Sequence, residues 1–122
     1  MFAGNANQAT FRLMMGAIND DSECYYILGL TSSLVSPYDN ETFRYLYMGS
    51  MRHHAGAQYL LAEWYAKELP DRKPDNMRAQ FWWGTSAQGG NEHAQKKCRE
   101  LGIDYQSAAY GLTDENRKRI GY

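Results

Sequence analysis

Cysteine is scarce in this chain. The only two, Cys24 and Cys98, form neither a C-x-x-C redox pair nor a zinc-ligand spacing. A disulfide framework, a thiol-redox centre and a zinc finger are thereby excluded as organising features, and the expected state is a reduced, cytoplasmic protein. Proline is just as sparse: Pro37, Pro70 and Pro74 are the whole complement, and they fall in two short stretches. The rest of the sequence is therefore open to helices, with the prolines marking loops between them. No run is long and apolar enough to cross a membrane, and the opening Met1-Phe2-Ala3-Gly4-Asn5 shows no positive charge leading into an apolar stretch. Charge of one sign is also missing. Net charge is −1, and the only concentrated basic run, Arg117-Lys118-Arg119, follows closely behind Asp114 and Glu115. A nucleic-acid partner needs a basic face, so none is expected, and no membrane partner either.

Hydrophobic residues at 43% and charged residues at 22% over 122 residues describe a single domain, 1–122, with room for one core. Aromatics are plentiful, with 10 Tyr and 3 Trp. Such side chains serve equally as core and as contact anchors, so their number alone does not separate the two.

Internal repetition organises the rest. The segments 9–29, 42–62 and 79–99 align without a gap. In each, a small residue (Ala9, Thr42, Ala79) is followed four positions later by a large one (Leu13, Leu46, Trp83), and three later by another small one (Gly16, Gly49, Ser86). After a polar turn comes a further small residue (Cys24, Ala57, Ala94) and then an apolar one (Leu28, Leu61, Cys98). The last position is small in Gly29 and Ala62 but breaks to Arg99. Spacings of three and four put these residues on one helical stripe, where small side chains let two helix axes approach and the large one fills the gap. The copies are 33 and then 37 residues apart, and the variable stretches 30–41 and 63–78 hold all three prolines. The pattern predicts helices at about 6–19, 22–34, 39–52, 55–69, 75–88 and 91–101, with Asp39 and Asp75 as N-caps. A tail over 103–122 carries a short helix beginning at Thr113.

The stretch Ala57-Gln58-Tyr59-Leu60-Leu61-Ala62-x-x-Tyr65, followed by Ala79-x-x-Trp82-Trp83-x-x-Ser86-Ala87-Gln88-Gly89-Gly90-Asn91-x-x-Ala94-Gln95, resembles the Sel-like repeat family, helix-turn-helix relatives of tetratricopeptide repeats. The resemblance spans about residues 9 to 101. It departs from the family where Asp20 and His53 replace the turn glycine found at Gly90, and where Cys98 and Arg99 replace the usual Leu and small residue. It implies an all-α fold, an α/α solenoid of about three repeats, that works as a protein-binding scaffold without catalysis, cofactor or metal. A solenoid of this kind lines its binding face with the first helix of each unit. That assigns Tyr26, Leu30, Tyr59, Glu63, Lys67, Lys96 and Glu100 to the contact strip, with Tyr26, Tyr59 and Lys96 at one repeated position. Tyr26 and Tyr59 could equally pack against neighbouring helices.

No nucleophile with a base, no paired carboxylates and no phosphate-binding glycine motif stand in the sequence, so no enzymatic activity is expected. His53, His54 and His93 read as exposed turn residues, and Cys24 and Cys98 as buried thiols too far apart to bridge. Trp64 and Trp82 fall one residue off the stripe; exposed, either would be an interface candidate. The function expected is a protein–protein interaction module, a small bacterial adaptor or inhibitor such as an immunity protein bound to a toxin. The alternatives are a self-associating structural protein, present as a homodimer, and a small-ligand-binding repeat domain.

Overall fold

The computed structural model describes residues 22–120, and these form six helices with no β-strand among them. The elements are α1 (Ser22–Val35), α2 (Asn40–Met51), α3 (Ala55–Ala66), α4 (Asn76–Gln88), α5 (Glu92–Leu101) and α6 (Asp114–Ile120). From α1 to α5 each helix packs on the next in the chain, and α1 also touches α3. This is the sequential nearest-neighbour stacking of an all-α repeat arrangement. The helix expected over 6–19, with Ala9, Leu13 and Gly16, lies outside the described residues. No helix among those described is long and apolar enough to cross a membrane.

Side-chain caps start the helices where the sequence places them. The Asp39 carboxylate accepts from the Thr42 N–H at 2.8 Å, Asp75 from Arg78 at 3.0 Å and Asn91 from Ala94 at 2.9 Å. Thr113 caps α6 by accepting from the Asn116 N–H at 3.1 Å. Each satisfies one of the donors that a helix start leaves without an internal partner. The α3 helix stops at Ala66, three residues short of its expected end. There the Arg72 guanidinium donates to the Trp64 and Lys67 carbonyls and lies 4.0 Å from the Trp64 ring, while Asp75 N–H bonds Tyr65 O at 2.9 Å. The last carbonyls of α3 are satisfied from the loop, so the helix has no need of another turn.

Two joints, α2–α3 and α4–α5, share several hydrogen bonds at the 37-residue offset. His54 N–H bonds Gly49 O at 3.1 Å, as Asn91 N–H bonds Ser86 O at 3.2 Å. Gln58 Nε2 reaches back to Ser50 O at 3.0 Å, as Gln95 Nε2 does to Ala87 O at 3.1 Å. Gly90 takes φ +96°, and the residue in its place, His53, is forced to φ +67°. The seam between helices is buried at Thr42, Leu46, Ala57, Leu61, Ala62, Ala79, Trp83, Ser86, Ala94 and Cys98. A Cβ at Gly49 would lie 3.1 Å from that of Ala57 and 3.3 Å from that of Tyr25, which is the close approach small residues allow.

The structure decides one position the repeat pattern leaves open, Trp82, and changes one expectation about burial, Cys24. Trp82 is 1% exposed and packs edge-on against Phe81, 5.1 Å between centroids, so it belongs to the core and offers nothing to an interface. The chain after α5 packs on the same helix at Phe81, Gly84, Thr85 and Gln88, a neighbour the repeat pattern does not contain. Cys24 is half-buried where Cys98 is fully buried. Cys98 lies deep in the α4–α5 seam, whereas Cys24 sits near the start of α1, whose described neighbours are α2 and, less closely, α3. No disulfide joins them.

The tail straps α4. Gly111 N–H bonds Thr85 Oγ1 at 3.0 Å, Gln88 Nε2 bonds Ser107 O and Tyr110 O, and the Tyr110 ring lies on Gly84. Asn116 Nδ2 ties down Ala108 O and Gly111 O, and Ile120 is buried.

Candidate protein-binding surface

Tyr59 and Glu63 stand one turn apart on α3, and Lys96 and Glu100 one turn apart on α5. The 37-residue offset makes the two pairs equivalent, and neighbouring units bring them face to face. With His93 and Lys97 they line a groove of about 250 Å³. The Tyr59 hydroxyl is pushed up to about 12 by burial first, then by the Glu63 carboxylate that accepts its hydrogen bond and by Glu100 beyond. Its ring packs against the core, 5.7 Å from His93. Lys97 holds its ammonium 4.9 Å from the centroid of Trp83, while Lys96 is exposed and meets no acidic side chain among the described residues. The result is a mainly polar groove with one half-buried tyrosine ring and carboxylate and ammonium groups around it.

The remaining strip residues take other positions. Tyr26 stacks on His54 at 4.5 Å and 18°, so at this position the packing alternative applies. His54 is not the exposed turn histidine expected from the sequence. It is half-buried and caps α3, Nδ1 accepting from Ala57 N–H at 3.1 Å while Nε2 lies 2.6 Å from Glu23 Oε2. An acceptor at Nδ1 puts the proton of the neutral ring on Nε2, where it donates to Glu23. His93 is exposed as expected but belongs to the first turn of α5 instead of the joint before it, and His53 is both exposed and in a turn. Leu30 is exposed but outside the groove, and Lys67 places its ammonium 5.9 Å from the Tyr38 ring.

Comparison with protein-family models, curated proteins and solved structures yields no match. The surface is therefore read from its own chemistry.

Among the described residues, no three His, Cys, Asp or Glu side chains come together as a metal site. Cys98 is buried at the seam and its thiol is pushed up by that burial, away from the thiolate form a nucleophile needs. The groove also takes in His93 and Lys97, which the sequence-derived strip did not include. The signal for them was in the sequence: on a helix, His93 lies three before Lys96, and Lys97 three before Glu100, so all four share one broad face. Two seam-derived positions per unit were too narrow a window to include them.

Proposed function

We propose that the chain is a protein-interaction module of the Sel-like kind, holding a segment of a partner protein against the face made by α3 and α5. The observation that carries this reading is the groove of Tyr59, Glu63, His93, Lys96, Lys97 and Glu100, where charges of both signs rim a half-buried tyrosine. Tyrosine rings give contact area at small entropic cost, and rim charges steer a partner and set its register. At about 250 Å³ the groove is smaller than the usual site of a small molecule, roughly 300–1,000 Å³, which favours a partner lying across it over a ligand enclosed within it. Self-association through Trp82 loses support because that ring is in the core, and Trp64 is half-buried under the Arg72 guanidinium. An adaptor or an inhibitor, an immunity protein among them, would act in this way, by occupying a surface and doing no chemistry. The same reading places the chain in the cytoplasm, where thiols outside any disulfide stay reduced.

The test is affinity capture from the source cells with three baits: the native chain, Lys96→Glu and Glu63→Lys. Lys96 is exposed, so Lys96→Glu should move the thermal midpoint by no more than about 2 °C, as for ordinary surface changes, while Glu63→Lys also gives up the Tyr59 hydrogen bond and should lower it further. A partner bound by the native chain should bind the variants at least about fivefold more weakly, the scale of a rim charge reversal. Capture that is identical for all three baits would remove the groove from consideration.

A further inference from the structure

Where the α2–α3 joint meets the end of α4 and the tail, the chain encloses a pocket of about 190 Å³. His53 of the joint, Gln58 of α3, Thr85 and Gln88 of α4, and Gly111 and Leu112 of the tail line it. None of these residues belongs to the α3–α5 groove, and no Asp, Glu, Lys or Arg stands among them. A charged guest would therefore lose its water without meeting a counter-charge.

Two amide side chains set the chemistry. Gln58 is 2% exposed and its Nε2 donates to Ser50 O at 3.0 Å; Gln88 Nε2 donates to Ser107 O at 3.1 Å and Tyr110 O at 3.2 Å. Carbonyl oxygens only accept, so these bonds fix which end of each amide is the nitrogen. Both Oε1 atoms are left without a donor among the described residues, and that of Gln58 is not sealed from the pocket it lines. A Cβ at Gly111 would stand 2.9 Å from Gln88 Oε1, so glycine keeps the approach to that oxygen clear. Thr85 Oγ1 accepts from Gly111 N–H, and its own hydrogen has no acceptor among the described residues. His53 adds an exposed imidazole with no hydrogen-bond partner among the described residues. The turn does not require that ring, since Gly90 makes the same turn at the second joint with φ +96° against +67°. A strained side chain at the edge of a polar pocket points to a use for the side chain.

We propose that this pocket binds the primary carboxamide of an uncharged ligand, and that His53 is held in its strained conformation to serve it. A carboxamide nitrogen carries two N–H donors, as many as there are unpaired Oε1 acceptors, and its carbonyl accepts from the Thr85 hydroxyl or the His53 ring. A hydroxyl has one hydrogen to give, a carboxylate has none, and an ammonium brings a charge that the pocket does not balance. The guest is no larger than a side chain: a cavity of about 150 Å³ already takes up benzene. Leu112 gives its carbon end an apolar wall. The amide can belong to a small molecule or to an Asn or Gln side chain of a partner, and the pocket reads both by the same bonds.

The experiment titrates the full chain with propionamide, propionate and propylamine, three probes of one shape, followed by NMR of the amide groups. Propionamide should shift the Gly111 and Leu112 signals and the Gln58 side-chain amide. The two charged probes should bind at least about tenfold more weakly, the scale of a lost hydrogen bond together with an unpaired charge. His53→Gly should bind propionamide about three- to tenfold more weakly, as for one hydrogen bond, while its urea midpoint rises with the strain removed. A ring of purely structural value would not separate the two readouts. Glutamine and the capped tripeptide Gly-Gln-Gly then tell a free amide from the side chain of a partner. Propionamide that shifts nothing at the pocket overturns the proposal. Propionate bound as tightly as propionamide, or a His53→Gly variant that binds as well as the native chain, overturns it too.

Discussion

His53 pays for a position that suits glycine. Its φ of +67° matches the +96° of Gly90 at the equivalent joint, and a side chain in that left-handed region costs about 1–2 kcal/mol. Part of this returns as lost backbone freedom on substitution, so His53→Gly should raise stability by about 0.5–1 kcal/mol, read as a higher urea midpoint with unchanged slope. A lower midpoint would mean that the imidazole makes a contact worth more than the strain. The caps give a second test at this scale. Asp39 is held below the ordinary carboxylate range chiefly by the Thr42 backbone N–H. For Asp75, burial pushes upward, but the Arg78 backbone N–H and guanidinium outweigh it and the net shift is downward. A carboxylate with a lowered folded-state pKa stabilises fully above its unfolded value near 3.9 and loses that contribution as pH falls through the folded value. The native chain should therefore lose thermal stability below about pH 4. Asp39→Asn/Asp75→Asn keeps the capping acceptors without the titration and should show a shallower acid decline. Parallel declines in the two proteins would show that these carboxylates do not carry the acid sensitivity.

Among the elements, α4 bears the most weight. Ala79 and every residue from Phe81 to Ala87 are buried, because α3 and α5 cover it on the seam and the tail covers its other side. Gly84 is where the tail comes closest: a Cβ there would lie 2.2 Å from Tyr110 Cδ1. In an exposed helix Gly→Ala gains about 0.5–1 kcal/mol, but here overpacking should dominate and Gly84→Ala should cost about 1–3 kcal/mol. Adding Tyr110→Ala should recover part of that loss in a double-mutant cycle; additive losses would show that the ring is not the obstacle. Helix positions were legible because capping and the three-and-four spacing are local: Asp39, Asp75 and Thr113 start their helices where the sequence places them. The α3 terminus was not, because Arg72 reaches back across a loop to its carbonyls, and no spacing rule describes that contact.

At the scale of the molecule, the described seam residues of the second and third segments are buried in keeping with the repeat spacing, while Cys24 of the first is only half-buried. Periodicity decides burial wherever every unit has the same neighbours, and Leu46, Ala57, Leu61, Ala94 and Cys98 are buried for that reason. The all-α architecture and its sequential stacking were likewise written in the small-large-small stripe. What only the tertiary structure decided are the contacts that differ between units. Trp82 went to the core, the tail closed over α4 at Gly84 and Thr85, Tyr26 was engaged by a capping histidine, and Tyr59, Glu63, Lys96 and Glu100 were left lining one groove. These depend on side chains far apart in the chain and on loops of unequal length. A pattern shared by all copies is silent about them, since each arises where one copy departs from the rest.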